Sequence, residues 1–179
     1  MTEIANVYGE AMYDLAKDEN LVEQFLKELK VLDEAFAQEP AFVRLLSSPS
    51  LSKPERCQVL EDSFRSNLHP YVLNYLKILT EKGYIRHFSG CCKVFRDRYN
   101  ADNGILPVTA VTAIPLSDAL RKKLADKLAT TTGKRIELTC KVDPDCLGGV
   151  RLDYDGKRLD DTVSHRLESV RGLLKNTVL

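Results

Sequence analysis

Residues 143–174 read DPDCLGGVRLDYDGKRLDDTVSHRLESVRGLL, a pattern that predicts a turn, a hairpin and a helix in that order. Asp143-Pro144 ends one strand and opens a turn, because proline fixes φ and has no N–H for a ladder. Apolar and charged residues then alternate over 150–154, which is the period of a half-buried strand. Asp155-Gly156 signals a tight hairpin turn, and residues 157–159 form the predicted return strand.

Two further features complete the unit. Gly148-Gly149 allows a tight bend or a close approach of two backbones, since glycine has no Cβ. Asp160-Asp161 precede a helix, where carboxylates are expected to act as cap and dipole partners. That helix carries one apolar stripe at i, i+4, i+7 and i+11, formed by Val163, Leu167, Val170 and Leu174. The residues alone therefore predict a small α+β unit.

Upstream of residue 104, apolar residues recur with a helical period throughout. Six helices are predicted, with a capping box at Ser52–Glu55 opening the fourth and Pro70 opening the fifth. Helices joined by such short loops are typical of a bundle. The apolar stripe of the first helix comprises Ile4, Val7, Tyr8, Ala11, Met12 and Leu15, and the inward residues predicted for the fifth are Val72, Tyr75, Leu76, Ile78 and Leu79.

Asp102-Asn103-Gly104 marks a boundary, after which the period changes to that of strands. Residues 105–114 are rich in β-branched side chains, and residues 136–142 form a second predicted strand. Between them Ser117 caps a helix with leucines at i, i+4 and i+8, namely Leu120, Leu124 and Leu128.

The fold class predicted for the chain of 179 residues is α+β in two domains. Residues 1–104 form an all-α six-helix bundle. Residues 105–179 form a small α/β domain of three to four strands and two helices.

The composition fits a soluble globular protein without a transmembrane segment. Hydrophobic residues make up 44% and charged residues 29%, and the 26 acidic residues balance the 26 basic ones. The charge is unevenly distributed, because residues 1–39 hold ten acidic and three basic residues whereas residues 105–179 hold ten acidic and thirteen basic ones. This asymmetry favours a basic partner for the N-terminal part over nucleic-acid binding.

Motifs for catalysis, metal binding or cofactor binding are missing from the sequence. The five cysteines are odd in number and lack a C-x-x-C pair, so they are interpreted as reduced, mostly buried small hydrophobes. The three histidines pair with no nucleophile motif.

Gly148-Gly149 lacks the flanking residues of a phosphate loop. The basic runs at 121–123 and 134–135 have no interleaved aromatic residues for stacking nucleic-acid bases. The sequence therefore predicts a non-catalytic protein without a cofactor.

Several of these segments, in this order, resemble one family. The turn at Asp143-Pro144, the hydrophobic-Gly-Gly-Val hairpin after it, the acidic turn and a final helix with Arg-Leu are similar to a signature of the delta subunit of F-type ATP synthase. The mitochondrial relative is the oligomycin-sensitivity-conferring protein. Residues 108–117 resemble the family's strand leading into its first C-terminal helix, and residues 8–16 resemble its opening helix.

The resemblance implies a non-catalytic stator subunit that links the catalytic head to the peripheral stalk, so that proton translocation is coupled to ATP synthesis. In this family a groove between the first and fifth helices receives the N-terminal helix of a catalytic-head alpha subunit. The matching positions here are Tyr8, Ala11, Tyr75 and Ile78. The alternative for these four is that they are ordinary core residues, since position in a stripe does not separate core from groove.

The resemblance also implies that the C-terminal domain binds the C-terminal ends of the stalk's b subunits. The candidate contacts are Val163, Leu167, Val170 and Leu174, although part of this stripe is expected to cover the domain's own sheet. Association with a membrane is expected only through the complex. Because no signal or transit peptide is recognisable, we expect a bacterial subunit at the cytoplasmic face of the inner membrane, with a plastid-encoded copy as the other option.

Two other functions remain open at this point. One is an unrelated helical adaptor that binds peptides, which would differ in having a partner outside ATP synthase. The other is a nucleic-acid-binding protein that uses the basic C-terminal half, which would bind with a steep dependence on salt. The balanced net charge disfavours the second.

Overall fold

The computed structural model describes residues 2–48 and 51–167. The chain divides into two compact units, Met1–Tyr99 and Asn100–Leu179. The first unit is helical and the second contains a four-stranded sheet, so the mixed α+β class predicted from the sequence is confirmed. The division falls in the last turn of a helix that ends at Asp102.

Six α-helices occupy the described part of the chain before the sheet. Proline stands in the first turn of three of them, where its missing N–H would have no partner in any case. Ser52 and Glu55 form the predicted capping box at the start of the fourth helix. The helices are α1 (Glu3–Asp18), α2 (Val22–Gln38), α3 (Pro40–Leu46), α4 (Lys53–Phe64), α5 (Pro70–Glu81) and α6 (Phe88–Asp102), with a 3-10 turn at Ile85–His87.

One apolar core lies among these helices. Phe25, Phe88 and Phe95 are at most 2% exposed, and the ring of Tyr13 meets that of Phe95 edge-on with centroids 5.3 Å apart. Each fully buried side chain of this size contributes about 1.5–3 kcal/mol relative to an exposed one. The hydrophobic period read from the sequence therefore corresponds to a real core, built from all six helices.

Helix α1 approaches α6 closely at Gly9. A Cβ atom on Gly9 would lie 2.7 Å from Cβ of Val94 and 2.8 Å from the carbonyl oxygen of Cys91. One turn earlier on α1, Cβ of Ala5 would lie 3.0 Å from a Cβ atom placed on Gly90 of α6. Small residues thus let the two backbones approach more closely than side chains of ordinary size would allow.

Several residues of the predicted inward stripes do not face the core. Ile78 on α5, predicted to be inward, is 46% exposed. Val7 and Leu15 on α1 are also exposed, because the buried face of α1 is formed by other residues, among them Met12 and Tyr13. The two helices therefore carry more apolar residues than one buried stripe requires.

The second unit contains a four-stranded sheet in the order β2-β1-β3-β4. β1 and β2 are parallel and are joined by a crossover helix, whereas β1–β3 and β3–β4 are antiparallel. The elements are β1 (Ile105–Thr112), α7 (Asp118–Thr132), β2 (Arg135–Val142), a 3-10 turn at Pro144–Cys146, β3 (Val150–Tyr154) and β4 (Lys157–Asp160). Residues 163–167 are helical.

The core of this unit lies on one face of the sheet. Leu106, Val108 and Ala110 alternate along β1 and are buried with Leu152. Leu124 and Leu128 of α7 pack against this cluster. The third member of the predicted stripe, Leu120, does not, since it is 53% exposed in the first turn of the helix.

The local signals of residues 143–167 act largely as predicted. Asp155-Gly156 has positive φ at both positions, as a type I′ hairpin turn requires. Gly149 makes the predicted close approach, because a Cβ there would lie 2.3 Å from the carbonyl oxygen of Asp161. The helix cap differs from the prediction: Thr162, not Asp160 or Asp161, accepts the hydrogen bond from the N–H of His165, at 3.2 Å.

We expect Gly9→Ala to lower the free energy of unfolding by about 1 kcal/mol or more, since overpacking against Val94 and Cys91 outweighs the gain in helix propensity. Urea unfolding followed by far-ultraviolet circular dichroism measures the change. Asn6→Ala, at an exposed position of the same helix, serves as the control and should not destabilise the protein. Equal stability of Gly9→Ala and wild type would contradict the close approach of α1 and α6.

Candidate partner-binding surface

Two tyrosine contacts define how α1 and α5 lie beside each other. The hydroxyl of Tyr75 donates a hydrogen bond to the carbonyl oxygen of Tyr8 at 3.2 Å. One turn earlier on α5, the hydroxyl of Tyr71 donates to Oε1 of Glu19, just beyond the end of α1, at 3.4 Å. Between the second contact and the first, the residue number rises on α5, from Tyr71 to Tyr75, and falls on α1, from Glu19 to Tyr8. The two helices are therefore antiparallel.

The Tyr75 hydroxyl is suited to this structural role. Burial raises the pKa of Tyr75 far above its ordinary value, because a phenolate at this position would be desolvated. The Tyr8 ring packs edge-on against Tyr84, with centroids 5.7 Å apart. Tyr8 and Tyr75 are thus fixed relative to each other at the junction of the two helices.

The four residues assigned to the groove occupy three kinds of environment. Tyr75 is buried and Tyr8 is half-buried, so they form the floor between the helices. Ala11 and Ile78 are exposed, each one turn along its helix from a floor residue. Since the helices are antiparallel, Ala11 and Ile78 lie on opposite sides of the contact between Tyr8 and Tyr75.

Further apolar side chains extend the surface along both helices. Val7 is 59% exposed, and Leu15 and Tyr71 are each more than a third exposed. Val7, Ala11 and Leu15 are spaced i, i+4, i+8 on α1, as expected for one continuous row. Sequence reasoning missed Val7, Leu15 and Tyr71 as surface residues, although the surplus of apolar residues on α1 was a signal. We call the set Val7, Tyr8, Ala11, Leu15, Tyr71, Tyr75 and Ile78 the α1/α5 surface.

One margin of the α1/α5 surface is acidic. Glu10, Asp14 and Asp18 follow one another at intervals of four residues on α1, and all three are exposed. At 3.6 residues per turn they form a row beside Val7 and Ala11, on the side away from the core. An occupant with an apolar face and basic side chains would therefore match both the surface and its margin.

The final helix offers a second, smaller apolar site. Val163 and Leu167 are both exposed, one turn apart. The N–H of Val163 donates to the carbonyl oxygen of Gly148 at 3.0 Å, which ties the start of this helix to the loop before β3. The other two residues of the predicted stripe, Val170 and Leu174, lie outside the described residues.

The described residues contain no arrangement that suggests chemistry. Across residues 2–48 and 51–167, no three His, Cys, Asp or Glu side chains are grouped so that they could hold a metal ion. All five cysteines are free thiols. Within the same ranges, no helix is both long and apolar enough to cross a membrane. What the geometry provides is apolar surface for binding.

A family model described as "ATP synthase delta (OSCP) subunit" matches residues 4–174. The chain belongs to the ATP synthase delta (OSCP) family. Members are non-catalytic stator components of F-type ATP synthase, in the peripheral stalk that supports ATP synthesis and ion transport. Like them, this delta-family chain is a structural subunit that binds the catalytic head and the stalk, and it is associated with the membrane through the complex.

Individual relatives agree along nearly the whole chain. The ATP synthase subunit delta of Clostridioides difficile is 31% identical, over 98% of this chain and 97% of its own. That of Lactobacillus delbrueckii subsp. bulgaricus is 35% identical, over 96% of each chain. A chain in the structure of the Toxoplasma gondii mitochondrial ATP synthase hexamer has the same fold, with a TM-score of 0.75 at 18% identity, covering 97% of this chain and 98% of that one.

Substitutions can separate surface from core on these helices. We expect Val7→Ser and Ile78→Ser each to change the free energy of unfolding by no more than about 0.5 kcal/mol, because both side chains are exposed. Leu79→Ala, at the neighbouring fully buried position, should cost about 2–5 kcal/mol. Urea unfolding measures all three. Comparable losses for Ile78→Ser and Leu79→Ala would place Ile78 in the core.

Proposed function

We propose that the α1/α5 surface binds the N-terminal helix of a catalytic-head alpha subunit. The observation that carries this proposal is the exposed apolar row on two antiparallel helices, held at a fixed spacing by the bond from Tyr75 to Tyr8. An amphipathic helix can lay its apolar face along such a surface. Tyr8, Ala11, Tyr75 and Ile78 are the proposed contacts, with Ala11 and Ile78 meeting the partner directly.

The two halves of the chain have different partners in this proposal. Residues 1–104 form the six-helix bundle that holds the catalytic head, and residues 105–179 form the α/β domain that holds the stalk. The second domain engages the C-terminal ends of the b subunits through Val163, Leu167, Val170 and Leu174. Exposure of the first two of these supports the assignment.

The chain then acts as a connection within the stator. By joining head to stalk, it resists the torque of the rotating shaft, so that proton translocation is coupled to ATP synthesis. It takes part as a protein-binding subunit and uses no cofactor. We place it at the cytoplasmic face of a bacterial inner membrane, in keeping with its bacterial relatives.

Titration of a labelled alpha-subunit N-terminal peptide, from the same organism, into the full chain tests the head assignment. We expect saturable binding to wild type and a loss of about tenfold or more with Ala11→Asp, because the partner's apolar face would desolvate the new carboxylate. Ala37→Asp is the matched control, since Ala37 is also exposed but lies on α2. It should leave the affinity unchanged.

Each outcome of this titration has a clear meaning. An equal loss in Ala11→Asp and Ala37→Asp would point to a general effect of charge and contradict the groove. A folded wild type that does not bind the peptide would remove the alpha-subunit assignment, and an unrelated peptide partner would then be the better hypothesis for this surface.

The acidic margin predicts how binding responds to salt. Raising the ionic strength from about 0.05 M to about 0.5 M shortens the screening length to a few ångströms, so we expect the affinity for the same peptide to fall by about two- to tenfold. The double variant Glu10→Lys/Asp14→Lys should lose most of this dependence, whereas Glu34→Lys on α2 should retain it. An affinity indifferent to salt would exclude a role for the acidic row.

A further inference from the structure

Leu147 combines two properties that rarely occur together. Its side chain is apolar and 66% exposed, and its backbone has a φ of +59°. Within the described residues, the other non-glycine residues at positive φ are Asn20 and Asp155, whose side-chain types adopt this conformation far more readily. Residues in sparsely populated backbone conformations cluster at functional sites, so this position suggests a functional hypothesis.

The loop around Leu147 is held in place on both sides. Before it, the N–H of Asp143 donates to the carbonyl oxygen of Thr112 at 2.9 Å, and Cys146 is buried. After it, Gly149 lies so close to the carbonyl oxygen of Asp161 that no side chain would fit. Leu147 is therefore presented from a fixed loop.

Leu147 lies at one end of the sheet together with other exposed apolar residues. Parallel β1 and β2 both end there, with Val142 paired to Thr112 and Ile114 two residues further on. β3 begins at the same end, and the N–H of Val163 donates to the carbonyl oxygen of Gly148, next to Leu147. Ile114, Val142, Leu147 and Val163 are all more than 40% exposed. We call these four the sheet-end surface.

We propose that the sheet-end surface, centred on Leu147, is the part of the C-terminal unit that binds an amphipathic helix of the peripheral stalk. The inference rests on the proposed function, because Val163 joins this surface to the exposed Leu167 one helical turn away. The side chains at i and i+4 form a ridge suited to a second helix. Asp143 and Asp145 lie in the loop before Leu147, Lys141 adjoins Val142, and Asp161 is paired with Arg166. The surroundings are therefore weakly acidic, so we expect the bound helix to carry Lys or Arg beside its apolar stripe.

Calorimetric titration of a peptide from the C-terminal helix of the b subunit, from the same organism, into the full chain tests the proposal. We expect Leu147→Asn to lower the affinity about tenfold or more, because a buried leucine contact is lost. The melting temperature should stay constant or rise by about 2 °C, since asparagine tolerates positive φ and the side chain is exposed. Leu147→Met, which keeps an apolar side chain, should retain most of the affinity.

Two control variants match the change at Leu147. Asp155→Asn also stands at positive φ, but in the hairpin turn at the far end of β3. Leu45→Asn also replaces an exposed leucine, on α3. Both should bind the peptide as wild type does.

The outcomes separate this inference from the function on which it rests. Wild-type affinity in Leu147→Asn would overturn the sheet-end surface and leave the stalk assignment intact. A folded wild type that does not bind the peptide would remove the stalk assignment and this inference with it. A marked fall in melting temperature would mean that the chain's own C-terminal residues cover Leu147, and a free-chain dimer that dissociates in Leu147→Asn would make a second copy the occupant. Either result would also overturn the proposal.

Discussion

The approach of α1 to α6 at Gly9 is the constraint on which the helical unit depends. A Cβ atom on Gly9 would lie less than 3 Å from Cβ of Val94 and from the carbonyl oxygen of Cys91. The inner face of α1 therefore packs directly against α6. A helix has only a limited buried arc, so the apolar residues at Val7 and Ala11 are left outside it. The α1/α5 surface, proposed to bind the catalytic head, is exposed because the opposite face of α1 packs into the core.

The tyrosines between α1 and α5 hold the exposed apolar residues of the two helices in one surface. A buried phenol that donates to a backbone carbonyl fixes the distance between two helices without filling the space above them. A stator must transmit force without yielding, and a binding surface built on two rigid helices suits that purpose better than one built on loops.

In the C-terminal unit the corresponding constraint is the contact of Gly149 with residue 161. It brings the loop before β3 against the start of the final helix, and so places Leu147 beside Val163. The covered face of the sheet is occupied by α7, through Leu124 and Leu128. The apolar side chains left over at the end of the sheet are therefore available for a partner, as they are on α1.

Local signals specify much of the secondary structure. The capping box at Ser52, the hairpin at Asp155-Gly156 and the helical and strand periods depend on interactions within a few residues, so the sequence by itself determined the elements and their order. The resemblance of several segments, in that order, indicated the family. Which apolar residues are buried was decided by tertiary structure alone. Ile78 and Leu79 are neighbours of the same chemical kind, yet only the packing of α5 against the other helices separates surface from core. Leu147 likewise has a positive φ in a loop whose neighbouring residues, Asp143 and Gly149, contact Thr112 and Asp161, and no local preference of leucine predicts that conformation.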